Sequence, residues 1–399
     1  MFEQNISALI GAIFAKLVTI NSSTLQKCNI SGASNVAILG GSAINSQITI
    51  VDLLQNFNNI QAISSSAYSS SCISNVYNSK FSIINLLISN TIVNTQSQVS
   101  QAISAGISAI LYNTQLIIQN SELKSSNINA FSQQLSISAG YIAYTNYSNI
   151  TLQVSVQSTF VQASSQQSYA GGISGIFDYT NVTMNYINIS NTKVGVTNLD
   201  NASAGTGVSG GVITQSYHSN ISVSANIYIS NISSICSQIA ISGGVIGNSS
   251  NSTSICFQIE INNCLISSYS VNFVSFSAGI QGYNNQSINQ YTKIIVFNST
   301  ANASTQIHNA YSSGISCQVL RTTEYFTEII LQNSQILTCS DSNQFGTAVG
   351  GIQARSESSY AFITNVNILS SNINTMNKFG LGSQLVGCIV QWWALEMLF

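Results

Sequence analysis

Three stretches decide the fold of this chain: Tyr169-Ala-Gly-Gly-Ile-Ser-Gly175, Val208-Ser-Gly-Gly-Val212 and Ile241-Ser-Gly-Gly-Val-Ile-Gly247. Each sets two small residues before an aliphatic one, and the same mark recurs along the sequence. Its second small residue falls at Gly106, Gly140, Gly172, Gly211, Gly244, Gly279, Gly314 and Gly351, at spacings of 34, 32, 39, 33, 35, 35 and 37 residues. A nearly fixed period of this size is the signature of a solenoid, whose units hide their apolar faces only by stacking on one another. Gly41 and Gly387 continue the series outward, with Gly11 before them and a degenerate unit around Ser71 to Ile73. The spacing implies about eleven coils of about 35 residues in one domain over residues 1–390, with 391–399 left as an apolar cap or truncated repeat.

Between the marks the chain reads as strand. Ile150, Leu152, Val154 and Val156 alternate with polar residues, as do Ile221, Val223, Ala225, Ile227 and Ile229, and again Ile255, Phe257, Ile259 and Ile261. Period two with β-branched residues predicts half-buried strands. A helical repeat is disfavoured, because Ser and Asn are poor helix formers and the three-four spacing is not sustained. The expected fold is therefore all-β, a right-handed parallel β-helix. Glycine at the mark would allow a positive φ and a close approach of the next coil. Ile173, Val212, Val245, Ile280, Ile315 and Ile352 would then stack as one interior ladder.

Ser, Asn and Ile make up 172 of the 399 residues. Asn and Ser suit turns because their side chains bond the local backbone, and stacked coils let amides form ladders. Charged residues are only 5 % of the chain and the net charge is −2, so the basic footprint that nucleic acid binding requires is missing. Proline, which removes a ladder donor, does not occur. The eight cysteines contain no C-x-x-C pair, and His218 and His308 lie in different units, which disfavours a zinc site. Cys236, Cys256 and Cys264 are close enough in sequence for a bridge between neighbouring coils, although free thiols are the expected state of most. No cofactor is indicated.

Neither end reads as a targeting element. Met1 to Ile20 carries Glu3 where a signal peptide is basic, and Leu385 to Phe399, with Trp392 and Trp393, is too short to span a bilayer of about 30 Å. Both ends cut into a unit, which is expected of a fragment of a longer protein.

The glycine marks, followed by Asn- and Ser-rich turns and an Ile-x-Ile strand, resemble the GLUG-type repeats of secreted and surface adhesin-like proteins, and the Ser/Asn-rich repeat proteins of some unicellular eukaryotes. The likeness covers residues 100–390. It departs where Ala precedes Gly106 and Gly140, and where the closing glycine is missing after Ile280 and Ile315. The resemblance implies an extracellular or cell-surface protein without an enzymatic centre, with glycans or surface proteins as partners. The alternative is a polysaccharide-acting β-helix enzyme. Its chemistry requires clustered carboxylates, and the one local candidate is Arg321, Glu324 and Glu328 with Arg355 and Glu357 about one coil above. A solvated ion-pair patch is the expected form of that cluster.

Overall fold

A computed structural model describes residues 5–7, 10–14, 17–198, 205–341, 347–377 and 384–391. They form a parallel β-solenoid without helix, of about nine turns rather than eleven. Its longest face is nevertheless an eleven-stranded sheet. The outermost strands of that sheet belong to turns that include residues outside the described set. The apolar end, Trp392 and Trp393 included, also lies outside it.

Each coil has four strands. In one central coil, strand a is Ile239–Gly243, strand b Ile246–Ser250, strand c Thr253–Asn262 and strand d Leu265–Ser270. The next coil repeats them as Val274–Ala278, Gln281–Asn285, Ile288–Phe297 and Thr300–Thr305, all paired in parallel. The c strands make up the eleven-stranded sheet, and strands a, b and d of all coils join into the other.

The composition follows from the two corners that flank strand c. Both need a residue in the left-handed region. The b–c corner uses Asn45, Asn78, Asn113 and Asn251, and also Tyr147, Tyr179 and His218; the c–d corner uses Asn90, Asn191, Asn263, Asn298 and Asn333. Asn tolerates this conformation best among non-glycine residues. A hydroxyl comes next in most coils. At the b–c corner the amide N–H of Thr180 donates to Ser219 Oγ at 3.1 Å, and that of Ser219 donates to Ser252 Oγ at 3.2 Å, while Ser219 Oγ donates to the Tyr217 carbonyl at 2.6 Å. The c–d corner repeats the scheme, with Ser299 N–H on Ser334 Oγ at 3.3 Å. Buried backbone groups that the turn leaves without a ladder partner are thus satisfied from one coil to the next. The expected amide ladders form as well: Asn220 Nδ2 donates to Asn181 Oδ1 at 3.0 Å, and Asn181 Nδ2 to Asn149 Oδ1 at 3.1 Å.

The core is one continuous apolar column stack. Ile173, Val212, Val245, Ile280, Ile315 and Ile352 are buried in it as expected, continued backward by Tyr141, Ile107 and Cys72. Ile150, Leu152, Val154 and Val156 point inward, as do Ile221, Val223, Ala225 and Ile227. Ile229 does not: it is a left-handed corner residue, 62 % exposed. Strand c at Thr253–Asn262 also departs from simple alternation. Its pairing with the previous coil slips between Val223 and Ser224, so Phe257 and Gln258 both face out. The buried set there is Cys256, Ile259 and Ile261, and not Ile255 and Phe257. A β-bulge adds one residue and reverses the phase of everything before it.

The glycine column is real, and of the two reasons expected for it only the close approach of the next coil holds. From Gly106 through Gly140, Gly172, Gly211, Gly244, Gly279 and Gly314 to Gly351, a Cβ on each would lie 1.8–2.2 Å from the carbonyl oxygen of the next. None of these glycines has a left-handed φ; close approach alone selects them. Ser71 holds the same place one coil earlier, its hydroxyl bonded to the Gly106 carbonyl. Gly41 and Gly387 stand outside the column. Pairing of Ala37 with Ser70 puts Ile38 opposite Ser71, so Gly41 falls three residues further on, opposite Gly11. Gly387 pairs with Gly350, one column away.

Candidate functional site

The tight turn at the glycine column folds strands a and b toward each other, so that side chains on their outer faces meet. Two apolar clusters lie there, outside the main core. One holds Ile103, Ile137 and Ile176, and the other Val208, Ile241, Phe276 and Tyr311. A groove of about 480 Å³ runs along the second, parallel to the stacking direction. This lies within the usual range for a ligand pocket.

The repeat motif builds this groove residue by residue. The first glycine of the mark lines the turn on the groove side: a Cβ at Gly210 or Gly243 would lie 1.8 or 1.9 Å from the carbonyl oxygen three residues ahead. The third glycine passes beneath the strand-a wall, where a Cβ on Gly247 would meet Val208 Cγ1 at 2.6 Å and one on Gly282 would meet Ile241 Cγ2 at 2.6 Å. Gly282 shares a column with Gly247, since Ile246 pairs with Gln281 and Asn248 with Tyr283. The closing glycine read as missing after Ile280 is therefore present; in the following coil Cys317 takes the place.

Strand a supplies one wall through a single column, Tyr169, Val208, Ile241, Phe276 and Tyr311, and strand b the other through Gln215, Asn248, Tyr283, Gln318 and Arg355. Phe276 stacks on Tyr311 with centroids 5.4 Å apart, and Tyr283 meets Phe276 edge-on at 5.9 Å. The Arg355 guanidinium lies over the Tyr311 ring, 5.6 Å from its centroid, and pairs with Glu357 at 3.2 Å. Burial pushes the Tyr169 phenol up to about 12, and burial likewise raises Tyr217, Tyr283 and Tyr311. All four are therefore hydroxyl donors at neutral pH. Gln215 Oε1 and Asn248 Oδ1 are buried acceptors without a hydrogen-bond partner. Among the described residues that line the groove there is no Asp or Glu.

The expected ion-pair patch is dispersed. Arg321 is a left-handed corner residue with φ 51°. Glu328 pairs in register with Lys293 on the outer face of strand c. Arg355 and Glu357 belong to the groove side. Glu324 points the opposite way, fully buried inside the solenoid. Glu324 is the second residue of the strand that follows the Arg321 corner, and strand alternation turns it inward, away from Arg321. The described residues contain no group of three or more His, Cys, Asp or Glu arranged to hold a metal. Cys236, Cys256 and Cys264 form no bridge, and burial holds their thiols up at about 12, 12 and 11.

A second surface feature runs along the b–c corner. Tyr77, Tyr112, Tyr147, Tyr179 and His218 form a ladder through five coils, with centroid steps of 6.4, 6.0, 5.1 and 4.5 Å. No described helix is long and apolar enough to cross a membrane. No family model, curated protein or solved structure matches this chain.

Proposed function

We propose that this chain is a non-catalytic binding scaffold, the adhesive repeat segment of a cell-surface or secreted protein of the GLUG-type kind, and that it engages glycans or surface proteins through the a–b groove. The observation that carries this reading is the groove itself: an aromatic wall facing a wall of amides, with Gln215 Oε1 an unpaired buried acceptor. The half-buried Tyr169, Tyr217 and Tyr283 rings offer apolar surface to a ring or side chain, while their protonated phenols and the groove amides offer hydrogen bonds to hydroxyl or amide groups. Acid–base hydrolysis needs two carboxylates across the ligand, and the groove lining supplies none.

Screening the purified chain against a glycan array and a panel of surface proteins tests the reading. A ligand whose affinity falls about tenfold or more in Tyr311→Ala supports it, that being the loss expected from truncating an aromatic anchor. Binding that ignores Tyr311 and Gln215 overturns the groove assignment. New reducing ends appearing in a bound polysaccharide would replace the scaffold with the enzyme.

A further inference from the structure

Under the groove, three consecutive coils replace one side of the apolar core by a polar chamber. The strand-c column that reads Ile150, Val182 and Ile221 continues as Ser254, Asn289 and Glu324. The facing strand-b column changes in step, from Ile213 and Ile246 to Gln281, Ser316 and Gln353. Tyr291 and Asn284 complete the lining. None of these side chains is more than 1 % exposed.

They converge on one carboxylate. Asn284 Nδ2, Ser316 Oγ, Asn289 Nδ2 and Tyr291 Oη all lie 2.9–3.2 Å from Glu324 Oε1, and Gln353 Nε2 lies 2.6 Å from Oε2. Tyr291 Oη is also 2.7 Å from Gln281 Oε1. Besides Tyr291, whose one O–H also reaches Gln281, three donors crowd one oxygen that has two lone pairs, while Asn289 Oδ1, Gln353 Oε1 and Ser254 Oγ have no partner at all. The groups bonded to Glu324 are all neutral. A buried carboxylate thus meets no positive charge, and three buried oxygens meet no donor, both of which are costly.

We propose that this chamber binds a hard divalent cation of the calcium class. Glu324 supplies the charge, and half a turn of the Asn289 and Gln353 amides brings their unpartnered oxygens beside it. With Ser316, Gln281 and the Tyr291 hydroxyl this makes an all-oxygen ligand set, the kind that suits Ca2+ and not zinc. Neighbouring oxygens about 3 Å apart are what ligands 2.3–2.6 Å from one ion require. A single carboxylate places the affinity at the weak end, with Kd about 10⁻⁴–10⁻³ M. The ion would tie three coils together from inside.

The test is refolding of the full chain in EDTA or in 10 mM Ca2+, with the unfolding midpoint and Tyr291-sensitised Tb3+ luminescence as readouts. Ca2+ is expected to raise the midpoint by roughly 3–5 °C and to displace Tb3+. Glu324→Gln should remove both responses. Asn289→Asp adds a second carboxylate, so it should fold less stably in EDTA and gain at least tenfold in Ca2+ affinity. A wild-type midpoint indifferent to Ca2+, or an equal response in Glu324→Gln, overturns the site. Should Glu324→Gln fail to fold, Asn289→Asp decides alone: equal destabilisation with and without Ca2+ also overturns it.

Discussion

Replacing Gly244 by Ala tests the reason for the repeat. The added Cβ would sit 1.8 Å from the Gly279 carbonyl oxygen and 2.6 Å from Ile261 Cδ1. Ordinary contact begins near 3.4 Å, so the coils must separate locally by more than 1 Å. Strands about 4.8 Å apart have no such slack, because N–H···O bonds weaken beyond about 3.2 Å. The bonds at risk are Gly244 N–H to the Ala278 carbonyl at 3.1 Å and Val245 N–H to the Ile280 carbonyl at 2.9 Å. Two buried amides left unpaired cost about 1–3 kcal/mol each, and overpacking adds about 1–3 kcal/mol. The expected loss is therefore about 3–9 kcal/mol. Gly195→Ala is the matched control: its Cβ would have 3.6 Å to Ser233 Oγ, and removing a strand glycine should stabilise by about 0.5–1 kcal/mol. Urea titrations followed by far-ultraviolet circular dichroism measure both. A Gly244→Ala midpoint within about 1 kcal/mol of the parent would refute the argument that close approach selects these glycines.

In metal-free buffer the Glu324 carboxyl should make the protein less stable as pH rises. Burial raises its pKa above the ordinary 4.5, so the folded state holds the proton more tightly than the unfolded state. Stability then falls as pH climbs from about 4.5 through the folded value. Urea midpoints between pH 4 and 8 should show this slope in the parent and lose it in Glu324→Gln. Glu324→Ala, which strands the Asn284, Asn289 and Gln353 amide donors, should cost about 3–5 kcal/mol at pH 5; an unchanged midpoint would deny the chamber any structural weight. Among the seven described cysteines, Cys72, Cys236 and Cys256 should resist maleimide at pH 8, because burial lifts each thiol to about 12. Cys28 and Cys339, half-buried, should react first, and mass spectrometry after timed quenching reads the order. Early labelling of Cys256 would contradict the packing of that coil.

The solenoid was legible because its physical demand recurs. From Gly106 onward a carbonyl pressed against the next coil leaves no room for a Cβ, so glycine reappears at Gly172, Gly211, Gly244 and Gly279, and the ladder from Ile173 to Ile352 follows at a fixed offset. The left-handed corners likewise leave Asn followed by Ser or Thr in coil after coil. Phase inside a strand was less visible. Alternation assigns Phe257 to the core and Cys256 to the surface, but one bulge, set by pairing with the coil before, reverses both. Glu324 shows the same limit more sharply. Beside Arg321 and Glu328 in the sequence it resembles a solvated charge. It is buried because Gln281 and Gln353, 43 and 29 residues away, face it together with Ser316 of its own coil.

The sequence by itself determined the repeat, the strand content and the glycine, aliphatic and corner columns, since each reflects a local backbone requirement imposed once per turn. Only the tertiary structure decided that Tyr169, Phe276 and Tyr311 form one wall and that Glu324 sits among amides. Those neighbours are separated by whole coils, and stacking register, which no single coil specifies, brings them into contact.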